Sequence, residues 1–103
     1  MEAPKAWKKF LSVLWRGSLE EAGNENDWVK SGLKKLSQEE RYEIINFIDL
    51  LFESRMSSKD LCDIWNMNSN QYYIGPGERS GPAPLYISIR DISAQLNSVA
   101  KRN

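Results

Sequence analysis

The segment SQEERYEIINFIDLLFESR, residues 37–55, constrains the fold more than any other part of the chain. Ser37 and Glu40 have the S-x-x-E spacing of a capping box, in which the two side chains each accept a backbone N–H left without a partner at a helix start. At about 100° per residue, Ile44, Ile45, Phe47, Ile48, Leu51 and Phe52 share one arc of the helix, and Glu39, Glu43, Asn46, Asp49 and Glu53 share the opposite one. Leu50 falls within the acidic arc, where it has no obvious place in a core, whereas Arg41 falls towards the apolar one. A helix patterned in this way must bury one face against other elements.

The rest of the chain supplies them. Trp7, Phe10, Leu11, Leu14 and Trp15 recur at i, i+3, i+4, i+7, i+8, which predicts a first helix opening at Pro4 and stopping near Gly17. Glu20 to Glu25 read as a polar linker. Asn26 or Asp27 then caps a short second helix that buries Trp28, Val29, Leu33 and Leu36, with Gly32 weakening its interior. After the long helix, Ser57 and Asp60 repeat the capping pattern, and Leu61, Ile64 and Trp65 predict a fourth helix ending near Asn68. The few residues between these two helices require them to pack as neighbours. Leu85, Ile89, Ile92, Leu96 and Val99 alternate spacings of four and three, the mark of a fifth helix, with a short extended piece expected at Tyr86 to Ile89. The expected fold is all-α: a small single-domain bundle of about five helices, its core filled by Trp7, Trp15, Trp28 and Trp65.

Residues 70–84, NQYYIGPGERSGPAP, interrupt that pattern and predict a long Gly/Pro-rich loop before the last helix. The loop does not match a phosphate cradle. A P-loop needs G-x-x-x-x-G-K-[ST], and here no lysine is in register and Pro82 stands where a hydroxyl is required. The dinucleotide pattern fails because Ser80 occupies the place of the third glycine and Gly81 comes one residue late. Tyr72, Tyr73 and Arg79 instead suggest a contact surface, since Tyr and Arg are enriched at interface hot spots. A spacer between helices remains the competing reading.

Composition narrows the chemistry further. The chain contains no histidine, which removes the commonest general base and metal ligand, and its one cysteine, Cys62, lies beside Leu61 where a buried thiol acts as a small apolar group. No Cys/His zinc set and no Ser/His/Asp triad can be assembled. Carboxylates at regular turn spacing on a convex helix face lack the pocket that acid–base catalysis needs. No catalytic residue, cofactor or metal is therefore expected. A single cysteine, no apolar run of membrane-spanning length and no secretory signal make the cytoplasm the expected location.

Net charge is zero but unevenly placed. Residues 1–35 carry seven Lys or Arg against five acids, residues 36–68 three against seven, and residues 69–103 four against two. An acidic middle is either a solvated helix face or an attractor for a basic partner. Direct nucleic-acid binding is disfavoured by the missing basic excess. The helix-turn-helix alternative puts a turn at Met67 to Ser69 and a recognition helix from Asn70, which Gly75 and Pro76 would break after barely one turn.

INFIDLLFESRMSSKDLCDIWN, residues 45–66, resembles immunity proteins of bacterial contact-dependent growth-inhibition systems. The shared pattern is an apolar helix with Leu-Leu near its end, a Ser-bearing break, and a Ser-x-x-x-Leu-x-x-x-Trp helix. The resemblance implies a cytoplasmic protein that binds the C-terminal domain of a cognate toxin, often a nuclease with a basic channel, and blocks its active site. The expected contact residues are Glu39, Glu43, Asp49 and Glu53, Leu50 as apolar anchor, and Tyr72, Tyr73 and Arg79 from the loop.

Overall fold

Five helices of nine residues or more form the described part of the chain, residues 3–14, 21–68 and 82–102 of a computed structural model. They are α1 (Lys5–Val13), α2 (Glu25–Lys34), α3 (Gln38–Glu53), α4 (Ser58–Asn68) and α5 (Ala83–Arg102). No strand occurs among the described residues. The expected all-α bundle is the fold observed, and its radius of gyration, 13.0 Å, is that of a compact domain of this length.

Local signals set most of the helix ends. The Ser37 Oγ accepts the Glu40 N–H at 3.1 Å and the Glu40 Oε1 accepts the Ser37 N–H at 2.9 Å, completing the capping box at the start of α3. Ser57 and Asp60 repeat the exchange before α4, at 3.1 and 3.3 Å. The break between these helices is a Schellman motif: Arg55 N–H reaches Phe52 O, and Met56 N–H reaches Leu51 O. Arg55 occupies the left-handed position at φ 54°, where glycine is the usual residue.

Four boundaries differ from expectation. α1 ends at Val13, before Gly17, because Leu14 turns extended (φ −95°, ψ 108°) and drives its side chain into the core. α2 is capped by Asn24, not Asn26 or Asp27. Gly23, at φ 86°, makes the turn that leaves Asn24 extended, so that its Oδ1 accepts the Asp27 N–H at 2.8 Å. Glu21 and Ala22, read as polar linker, are helical. Tyr86 to Ile89 are not an extended piece: α5 begins at Ala83, with Pro82 O accepting the N–H groups of Leu85 and Tyr86. Prolines suit that first turn, whose N–H groups have no partner within the helix, so Pro82 and Pro84 belong to the helix start and not to the loop.

The core gathers on Trp7, whose indole meets an aromatic ring from each of three other helices and one from its own. Ring centroids lie 5.8 Å away for Phe10, 5.6 Å for Phe47, 5.8 Å for Trp65 and 5.3 Å for Tyr86. Trp28 is buried as well, while Trp15 lies outside the described residues. The Tyr86 hydroxyl donates to Leu61 O at 2.6 Å, tying α5 to α4, and burial pushes its ionisation well above the usual phenol range. Gly32 is a packing device more than a weakness. A Cβ there would come 3.0 Å from Leu14 Cδ2 and 3.2 Å from Phe10 Cε1, so the missing side chain lets α1 and α2 approach.

α5 lies mainly along α3 and also against α2, while α1 packs on α2, α3 and α4. Arg41 meets Asn97 and Asp49 meets Arg90, so α3 and α5 run antiparallel. The Arg41 guanidinium is buried without a carboxylate. Its Nε donates to Asn97 Oδ1 at 2.7 Å, and its Nη1 donates to Leu33 O at 3.1 Å and Leu36 O at 2.7 Å, carbonyls at the end of α2. One side chain thereby fixes α2, α3 and α5 together, which leaves the opposite arc of α3 facing outward.

Candidate protein-binding surface

The outward arc of α3 carries Glu39, Glu43, Asn46, Leu50 and Glu53, all exposed. Helical spacing arranges them as turns of one stripe, with Leu50 about half exposed (47%) among the carboxylates. Among the described residues, none of Glu39, Glu43 and Glu53 makes an ion pair. Their charges face solvent and are free to meet a cation from another molecule.

Asp49 behaves differently from its expected companions. It sits at the edge of the arc nearest α5, and Arg90 Nη1 approaches its Oδ1 at 3.3 Å. Arg90 is shared with Asp91, 3.4 Å from Nε. Asp49 is thus partly engaged inside the molecule, and its charge is offset before any partner arrives. The sequence pattern could not place Arg90 opposite it, because the two residues are far apart in the chain and the pairing depends on the antiparallel register of α3 and α5.

Glu40 marks the other edge. Its carboxyl is held below the ordinary carboxylate range, first by the Ser37 backbone N–H and then by Lys9, whose Nζ lies 3.1 Å from Oε2. It therefore serves the helix start and the α1–α3 junction, and the free stripe begins with Glu39 and Glu43.

Tyr72, Tyr73 and Arg79 lie outside the described residues, as does the helix-turn-helix alternative's second helix from Asn70. The turn that alternative required at Met67 is absent, because α4 continues through Asn68. Met67 itself points outward and is 83% exposed, the most exposed large apolar side chain described. Its wheel position opposite Leu61 and Trp65 is the sequence signal for that exposure. Cys62 is buried in α4. No group of three or more His, Cys, Asp or Glu among the described residues is placed to hold a metal ion, and no described helix is long and apolar enough to cross a membrane. No protein-family model, curated protein or solved structure matches the chain.

Proposed function

We propose that the chain is an immunity-type inhibitor, which binds a cognate toxin domain through the outer face of α3 and occludes its active site. The observation that carries the proposal is the exposed stripe of carboxylates, Glu39, Glu43 and Glu53, which make no ion pair among the described residues, with Leu50 exposed between them. A basic channel built for a phosphate backbone is the complement of such a stripe. Electrostatic steering speeds capture of an enzyme that must be silenced quickly, and like-charge repulsion rejects acidic partners. Leu50 supplies the apolar contact that rim charges alone lack, since exposed ion pairs contribute little individually. The resemblance of residues 45–66 to immunity proteins supports the same reading, and Tyr72, Tyr73 and Arg79 are proposed as a second contact. The protein acts by binding, not by turnover.

The test is co-expression with the C-terminal domain of the protein encoded immediately upstream. The parent chain should form a complex and protect growth, and E39K/E43K/E53K should lose protection while keeping its melting temperature. A catalytically inactive upstream domain that never binds the chain would overturn the reading. Sequence-independent capture of duplex DNA by the chain would favour the regulator alternative.

A further inference from the structure

A second charged region lies on α2 and plays no part in the α3 surface. Lys30, Lys34 and Lys35 line an open, shallow hollow of about 500 Å³ along α2 together with Asp27 and Ser31. Lys30 and Lys34 stand one helical turn apart, an arrangement in which like charges repel. Among the described residues none of the three lysines makes an ion pair. Asp27, the one carboxylate of the hollow among the described residues, accepts from Asn24 Nδ2 at 2.9 Å in the first turn of α2.

Lysines near a helix C-terminus ordinarily answer the unpaired carbonyls there. In this fold Arg41 already does so, through Leu33 O and Leu36 O. Its buried guanidinium also offsets the negative end of the α2 dipole, which would otherwise repel an anion. Lys34 and Lys35 are left as positive charge that the helix does not need.

We infer that the Lys30, Lys34 and Lys35 hollow binds a compact, multiply charged phosphate anion, such as the polyphosphate chain of a nucleotide or inorganic polyphosphate. Three ammonium groups against one carboxylate suit several phosphate oxygens at once, because lysine meets phosphate as a point charge. The Ser31 hydroxyl adds a donor. Among the described residues no aromatic ring lines the hollow to stack a base, which favours recognition of the phosphates over the nucleobase. A long nucleic-acid backbone is disfavoured, since the chain has no net positive charge and the stripe on α3 would repel it.

Calorimetric titration of the full chain at low salt with tripolyphosphate and with ATP tests this. Both should bind with similar affinity, weakening as salt rises. K30Q/K34Q/K35Q should lose at least about tenfold in affinity for each, as expected when three close charges are removed. D27N should tighten both, and K5Q/K8Q, at exposed lysines of α1, should leave them unchanged. Circular dichroism of each variant separates lost binding from lost folding. No heat with tripolyphosphate, equal affinity in the triple lysine variant, or binding of ATP or duplex DNA alone would overturn the assignment.

Discussion

Arg41 and Glu43 are near neighbours on α3, yet the inward and outward arcs of that helix treat their charges in opposite ways. Arg41 is enclosed, and three acceptors from two other elements hold its guanidinium. Glu43 projects into solvent, with no ion pair among the described residues. Inward groups are therefore fixed by what they hold together, and changing them costs stability. Outward groups can be exchanged without touching the fold, so a function that resides in them should be lost while the melting temperature stays put.

The contrast breaks most severely at the centre of the core. Trp7→Ala removes the ring on which α3, α4 and α5 converge and should cost about 3–5 kcal/mol, a large share of the roughly 5–15 kcal/mol that holds an ordinary domain folded, as a lowered urea midpoint would register. Arg41→Ala should cost about 2–3 kcal/mol, because Leu36 O and Asn97 Oδ1 lose the guanidinium donor in the interior, while Leu33 O keeps the Leu36 N–H. Tyr86→Phe removes the hydroxyl bond to Leu61 O and should cost about 1 kcal/mol. Arg55→Gly works the other way: relieving the left-handed strain at φ 54° should stabilise by about 0.5–1 kcal/mol. E39K/E43K, which touches no packed group, should cost no more than about 1 kcal/mol, chiefly from a cation placed in the first turn of α3.

Glu40 lies between the two arcs, and pH sharpens its position. Its carboxyl titrates below the ordinary value of 4.5 in the folded chain, so its stabilising contribution is complete above 4.5 and disappears as pH falls through the lowered value. Glu40→Gln should thus be less stable than the parent at neutral pH, and the gap should close on acidification. Urea midpoints measured from pH 7 to pH 3 check this.

Much of this was legible in the sequence because its causes are local. The capping boxes at Ser37 and Ser57 and the apolar arc of α3 depend on residues within a turn or two of each other. Arg41 could be placed towards the core from its wheel position alone. What escaped were features that depend on distant contacts. The Asp49–Arg90 pair needs the register of α3 against α5, the value of Gly32 lies in the approach of α1, and the early end of α1 follows from the pull of the core on Leu14. The extended piece expected at Tyr86 to Ile89 is helix for another reason: Pro82 and Pro84, which suit a loop equally well by composition, open a helix here. Asp49 is accordingly the weakest member of the expected contact set, and D49K would confuse lost binding with repulsion from Arg90.

The most direct measurement of the proposed surface is the association rate of the chain with the upstream-encoded toxin domain, by stopped flow at low and high salt. Steering by Glu39, Glu43 and Glu53 predicts a fast, salt-sensitive rate that E39K/E43K/E53K lowers by more than about tenfold at low salt, with the fold intact. An association rate that is the same for parent and variant at low salt would contradict it.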